Sequence, residues 1–295
     1  MRLATIHHQG TETGAVRLDD AYVPLNVVGD AVPDTLLGLL RMGLDIDNRR
    51  VIMDAVRRVP TEHHVPVAGA RLAPPYRDVS KLFGIGLNYQ DHAADLGARN
   101  PAEPASFIKG AHTIAGPDES IHLPPQSSRT TAEAEVGLVI GRMAWQVDEE
   151  TALHHVAAVV PILDQTAEDI LQRDPRFLTR SKNFPTFFVF GPELTTMDEV
   201  LVDGALDHIN VATWHNGALH RQAPVEAMRH NPAYLVAFHS QVMPLYPGDI
   251  ISTGTPGAVV ISPGDLVEAR IDGLAPLRAR VLGGHVPNPP LDPRD

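Results

Sequence analysis

Residues 131–140 read Thr131-Ala132-Glu133-Ala134-Glu135-Val136-Gly137-Leu138-Val139-Ile140, a short alternation of acid and hydrocarbon that runs into an apolar stretch. Successive side chains of a strand point to opposite faces, so Glu133 and Glu135 project together while Ala132, Ala134, Val136, Leu138 and Ile140 form the other, apolar face. Two carboxylates held side by side repel each other unless a cation sits between them, and a hard divalent ion with oxygen ligands suits that position. The alternative is an exposed strand face that is simply charged. A third carboxylate, Asp164, follows the apolar run Val156-Ala157-Ala158-Val159-Val160-Pro161-Ile162. An acid at the end of a buried run is costly without a partner, although an N-cap or turn Asp reads the same way.

Outward from this stretch, residues 81–283 form short β-rich runs punctuated by Gly and Pro, among them KLFGIGLNY, EVGLVIGRMAW, FFVFGPEL and INVATWHNGALH. His215-Asn216-Gly217 between alternating residues is a hairpin signal, and Pro-Gly-Asp at 247–249 and 263–265 each introduces an apolar strand. Helices are expected at about 150–160 and 223–242. Residues 1–75 read as short strands followed by two segments, DTLLGLLRMG and DNRRVIMDAVRRV, with apolar residues at helical spacing, then a Pro-containing linker. The expected fold class is α+β, mostly β, with a small N-terminal α+β domain and linker over 1–75 and a main domain over 76–295.

The chain has 295 residues, 43% of them hydrophobic, enough for a large domain plus a small one. Acidic residues outnumber basic ones 36 to 24, and a formal charge of -12 disfavours nucleic acid and anionic membrane as partners. With no Cys there is no disulfide, thiolate metal ligand or Cys nucleophile, which fits the reducing cytoplasm. No apolar h-region opens the sequence, and no stretch approaches the run of about eighteen apolar residues that a spanning helix needs. Gly84-Ile85-Gly86 has Tyr89 where a dinucleotide fingerprint needs its third Gly, and no His-Glu-x-x-His spacing occurs. The cationic residues include three lysines only, Lys81, Lys109 and Lys182. A site that needs a compact, pKa-shiftable ammonium cannot exchange Lys for Arg, which makes each of the three worth following.

Asn88-Tyr89-Gln90-Asp91-His92-Ala93-Ala94-Asp95 begins what reads as a short helix. His92 and Asp95 are neighbours on a helical face, where the carboxylate would fix the imidazole tautomer and raise its basicity, enough to deprotonate a water. A surface His–Asp contact is the bland alternative.

Together these fragments resemble the fumarylacetoacetate hydrolase family. Gly-Leu-Asn-Tyr-x-x-His at 86–92, Phe-x-Lys at 107–109, Glu-x-Glu-Val with Val-Ile-Gly-Arg at 133–142, Asp164-x-Thr-Ala, Ser-Lys-x-Phe at 181–184, Phe-Gly-Pro at 190–192, Asn-Gly at 216–217 with Gln222, and Pro-Gly-Asp-x-Ile-x-Thr-Gly-Thr-Pro at 247–256 occur in that family's order. The resemblance implies a family-type β-roll for the main domain and a small variable domain before it. It implies Glu133, Glu135 and Asp164 as ligands for magnesium, with manganese or calcium as alternatives. It further implies His92 with Asp95 as the water-activating pair, Lys182 as the group facing developing negative charge, and Lys109, Thr255 and Tyr89 as substrate-binding residues.

The implied activity is metal-dependent hydrolysis of a C–C bond in a 1,3-dicarbonyl compound of acylpyruvate or β-diketone type, in the catabolism of aromatic or related compounds. Alternatives are an oxo-acid decarboxylase, isomerase or dehydratase of the same family, and an inactive paralogue acting as a binding protein. A cytoplasmic homodimer with a small-molecule dicarbonyl partner is expected. Two positions depart from the family pattern: Glu168 stands where many members have Arg after Asp-x-Thr-Ala, and Pro185 where many have Asp. The first replaces a cation suited to a substrate carboxylate by an anion, so the substrate is expected to be less anionic there unless Arg173, Arg176 or Arg180 compensates.

Overall fold

A computed structural model describes residues 1–89, 102–284 and 286 of the chain. Its strands are β1 (Arg2–His8), β2 (Thr11–Leu18), β3 (Ala21–Pro24), β4 (Val65–Pro66), β5 (Leu72–Ala73), β6 (Leu82–Gly86), β7 (Ala105–Lys109), β8 (Ile114–Ala115), β9 (Ile121–Leu123) and β10 (Thr130–Ile140). They continue with β11 (Val156–Ala167), β12 (Phe188–Phe190), β13 (Leu194–Thr196), β14 (Asn210–His215), β15 (Ala218–Pro224), β16 (Ile250–Ser252), β17 (Ala258–Ile261), β18 (Leu266–Ile271) and β19 (Leu277–Gly283). One sheet runs β4-β3-β2-β1-β13-β11-β10-β16-β6-β7, with β5, β8, β12 and β17 attached beside that path; a second runs β15-β14-β18-β19-β9. This is the mostly-β α+β architecture that the sequence pattern implies.

The centre of the larger sheet is the antiparallel pair β10–β11, the two longest strands described, in which Glu133 lies opposite Asp164 and Gly137 opposite Val160. Both strands are buried on both faces. Ala132, Ala134, Val136, Leu138 and Ile140 pack with Val211, Val267 and Ala269 of the smaller sheet in one core. On the other face Val139, Val160 and Ile162 pack with Leu36, Leu39, Leu40 and Ile52 from the helices Leu36–Met42 and Ile46–Val56. There is no room for a side chain at 137, where a Cβ would come within 2.3 Å of Ile162 Cδ1.

Residues 1–75 join the same sheet through β1–β13, and the buried Glu193 accepts hydrogen bonds from Tyr22 Oη at 2.6 Å and Arg17 Nη1 at 3.1 Å. The two helical segments read from their apolar spacing are present, each with a side-chain N-cap, Thr35 and Asp45. Asn216 and Gly217 adopt φ of 51° and 81°, the left-handed pair that a tight hairpin between β14 and β15 requires. Both Pro-Gly-Asp triplets lead into strands, β16 and β18.

Two helix expectations are corrected. The helix placed at 150–160 is confined to Glu149–Ala152 and a 3-10 turn over Leu153–His155, because β-branched Val156, Val159 and Val160 fit a strand buried on both faces, where an apolar run is continuous rather than alternating. The helix placed at 223–242 starts at Pro232, where the Asn231 side chain caps it and the proline's fixed φ suits the first turn. Residues before it form the end of β15 and a 3-10 turn.

Asp249 anchors the turn ahead of β16. It is fully buried and accepts from the backbone N–H of Lys81 on Oδ1 (2.9 Å) and from that of Tyr246 on Oδ2 (2.7 Å), while Lys81 Nζ also lies 2.7 Å from Oδ2. Asp249→Ala leaves two amides and an ammonium without their acceptor and should cost about 2–4 kcal/mol, read from urea unfolding. A loss under about 0.5 kcal/mol would show that water replaces the carboxylate.

His239, buried in the helix Pro232–Val242, has Nδ1 2.7 Å from the Leu235 carbonyl and its ring against Phe83. Burial lowers its pKa. The folded protein therefore holds the neutral ring, and as pH falls below the ordinary histidine value of about 6.5 the unfolded chain takes up a proton that the folded one resists. Stability contributed here is complete above that value and is lost as pH drops through the lowered one. His239→Leu should flatten the decline in stability between about pH 6.5 and 5. An unchanged slope would remove His239 as its source.

Candidate active site

The β10–β11 register places Glu133 and Asp164 as direct cross-strand neighbours, and Glu135, two residues along, shares their face. One carboxylate oxygen from each of the three lies within 4.8 Å of the others, and all three side chains are buried, Glu135 and Asp164 to 1% exposure. The Glu133–Glu135 pair is thus no solvated strand face, and Asp164 lies within a strand rather than at a cap or turn.

Positive charge reaches the cluster from two lysines. Lys182, at the end of the helix Leu178–Lys182, donates from Nζ to Glu133 Oε2 at 3.0 Å and Asp164 Oδ2 at 2.9 Å, above the Phe107 ring. Burial disfavours its ammonium, but the charges of Asp164, Glu133 and Glu135 outweigh burial and hold its pKa above the ordinary lysine value. Lys109, at the end of β7, pairs with Asp164 Oδ1 and donates to the backbone carbonyls of Gln165 and Phe187. Burial pushes its pKa down to about 8, with Asp164 pulling the other way.

Glu135 is fixed from the opposite side. Its Oε2 accepts from Ser252 Oγ at 2.5 Å and from the Gly254 N–H at 2.8 Å. Gly254 has φ of 94°, and a Cβ there would come within 2.9 Å of both Asn88 Cβ and the Ile85 carbonyl, so only glycine brings this amide to the carboxylate. Burial first, then the charges of Asp164 and Glu133, push the Glu135 carboxyl up to about 8. Ionising all three carboxylates would leave the two ammonium groups one positive charge short, and an all-oxygen donor set of this size fits a hard divalent cation. The acidic triad could therefore hold one.

The cluster opens on a cavity of about 450 Å³. Glu133, Glu135, Lys182 and Thr255 line it, and Leu87, Phe107 and Leu178 supply apolar wall. Its size is that of a small-molecule site. The sequence profile described as Fumarylacetoacetate (FAA) hydrolase C-terminal matches residues 81–282, more than half of the chain. The chain belongs to the fumarylacetoacetate hydrolase family.

Among the relatives, 2,4-didehydro-3-deoxy-L-rhamnonate hydrolase of a Sphingomonas species is 34% identical over 221 residues, 72% of this chain and 76% of its own length. The crystal structure of maleylpyruvate hydrolase from a Sphingobium species, in complex with manganese (II) ion and pyruvate, superposes with a TM-score of 0.78 at 26% identity, covering 97% of this chain and 100% of that one. The 5-carboxymethyl-2-hydroxymuconate delta-isomerase of Mycobacterium smegmatis does so with 0.75 at 26% identity, over 96% and 99%. Family members of this kind are enzymes that process small molecules. Among the described residues no helix is long and apolar enough to cross a membrane.

Of the residues singled out in the sequence, Glu133, Glu135, Asp164, Lys182 and Thr255 come together. Lys109 sits behind Asp164, outside the cavity wall. Tyr89 is buried and bridged to Met228, lining a neighbouring hollow with Gln222 and Pro256. His92 and Asp95 lie outside the described residues. Glu168 does face the cavity, whereas Arg173 and Arg176 pair with Asp169 and Asp174, and neither they nor Arg180 line it. Pro185 lies in the turn between Lys182 and β12 and does not line the cavity. Sequence reasoning passed over Ser252, although it sits inside the Pro-Gly-Asp-x-Ile-x-Thr-Gly-Thr-Pro motif, and it passed over Arg129 altogether.

Magnesium or manganese at about a hundredfold its Kd should stabilise the protein by about 2.7 kcal/mol, visible as a rise in Tm. Asp164→Asn should abolish that rise. An undiminished rise in the variant would take Asp164 out of the ligand set.

Proposed function

We propose that this protein is a divalent-metal-dependent hydrolase that cleaves a C–C bond in a 1,3-dicarbonyl compound. The observation that carries the reading is the buried triad of Glu133, Glu135 and Asp164 beside a cavity that Glu133 and Glu135 line, with a lysine ammonium in direct contact. The manganese and pyruvate held by the maleylpyruvate hydrolase of similar fold support it, since pyruvate is what cleavage of an acylpyruvate leaves behind.

Glu133, Glu135 and Asp164 would hold magnesium, which when bound supplies Lewis-acid polarisation of the two dicarbonyl oxygens. Ser252 and the Gly254 amide keep Glu135 in place, so the triad is ordered before substrate arrives. Lys182 Nζ puts a fixed positive charge beside the position where negative charge develops as the C–C bond breaks. The apolar wall, with Phe107 beneath Lys182, limits competing water and strengthens that interaction. His92 is assigned the proton of the water that attacks the acyl carbonyl carbon, and the same proton then passes to the departing carbon fragment, so that water is consumed and a carboxylic acid is released.

The test is a panel of acylpyruvates, oxaloacetate and neutral β-diketones, with and without magnesium. Metal-dependent release of a carboxylic acid and a ketone or 2-oxo acid is expected. Double-bond migration or CO₂ release without cleavage would move the protein to the isomerase or decarboxylase reading, toward which the structural likeness to the delta-isomerase points. His92→Ala should slow cleavage by roughly 10²–10⁴-fold with metal affinity nearly unchanged. A loss under about threefold would remove His92 from the mechanism.

A further inference from the structure

The cavity is chemically divided. Glu133, Glu135 and Lys182 line it, with Phe107 beneath the ammonium, while the helix Glu168–Arg173 and the residues after it contribute Leu171, Pro175 and Leu178, a stretch of hydrocarbon wall. The polar groups that this helix brings to the cavity are Glu168 and Gln172, one helical turn apart. They are already committed to each other: Gln172 Nε2 donates to Glu168 Oε1 at 2.9 Å, and Arg129 Nε donates to Glu168 Oε2. Arg129 is itself half-exposed and does not line the cavity.

The cavity therefore presents there an anion whose neighbouring donors point at it. A substrate carboxylate brought to that wall would be desolvated against hydrocarbon beside a like charge. Among the described lining residues the cation is Lys182, and its ammonium is held by Glu133 and Asp164.

We propose that this site selects substrates whose distal substituent is uncharged and apolar, and that Glu168, by holding Arg129 Nε and Gln172 Nε2, is the residue that excludes a distal carboxylate. The inference rests on the reading of the acidic triad as the end that takes the dicarbonyl or 2-oxo acid head. Glu168 acts on specificity and takes no part in bond cleavage. Truncating it has a second consequence: the two donors become free to receive a ligand carboxylate.

The experiment compares two stable ligands of equal length that share a 2-oxo acid head, 2-oxohexanoate and 2-oxoadipate, by calorimetry on the magnesium-loaded protein. The first should bind at least about tenfold more tightly than the second. Glu168→Ala should narrow or reverse that ratio by releasing Arg129 and Gln172, and Glu168→Gln, which keeps the side-chain volume, should narrow it through loss of charge alone. Equal or reversed affinities in the parent protein overturn the proposal, as does binding of neither ligand; a ratio untouched in both variants overturns the role of Glu168.

Turnover is scored separately, on butanoylpyruvate against succinylpyruvate. Preference for butanoylpyruvate supports the proposal and preference for succinylpyruvate overturns it. Cleavage of neither, with the binding ranking intact, would refute the hydrolase reading while supporting the assignment of the apolar wall.

Discussion

The pairing of Glu133 with Asp164 across β10 and β11 is the constraint from which the site follows. A strand alternates with a period of two, so a slip of one residue in either strand would send the carboxylates into the apolar core and bring hydrocarbon to the cavity. The register is held from both sides. Alanines and branched residues of β10 key into the smaller sheet, while Gly137 lets Ile162 and Val160 close over the strand on the side of the N-terminal helices. Packing that looks remote from the site thus decides where its oxygens sit.

Holding like charges together inside a protein works against folding, and the surroundings show how it is managed. Ser252 and the Gly254 amide stabilise Glu135, Lys182 bridges Glu133 and Asp164, and Lys109 supports Asp164 from behind. Each contact satisfies part of a buried carboxylate, yet Glu135 is still pushed toward protonation. A site that is stable only with incomplete compensation retains affinity for an added cation, so the same electrostatic deficit that weakens the fold favours metal binding.

Much of this is legible in the sequence alone. The face shared by Glu133 and Glu135 follows from strand alternation, the hairpin at 216–217 from Asn-Gly, and the strand starts after 249 and 265 from turn chemistry. What stayed hidden was of two kinds. The run from Val156 carries no periodicity because both of its faces are buried, so its start could not be told from the helix before it. Contacts that join distant segments leave no local trace: Ser252 and Glu135 are 117 residues apart, and Arg129 and Glu168 are 39 apart. Glu168 stands out in the sequence as a departure from the family pattern, but its pairing with Arg129 exists only in the fold.

The scarcity of lysine gives the molecule an unusual solution chemistry. Lys81 is paired with Asp249, Lys109 with Asp164 and Lys182 with Glu133 and Asp164, while the terminal amine is paired with Glu199. All three lysine amines are therefore bound in ion pairs, and the exposed cations among the described lysines and arginines are guanidinium groups. Reagents that acylate or cross-link amines find few free handles on such a surface, and their slow reaction follows the opening of these ion pairs rather than exposure. Labelling of this protein through its lysines is thus a measure of local unfolding around the candidate site and the β16 turn.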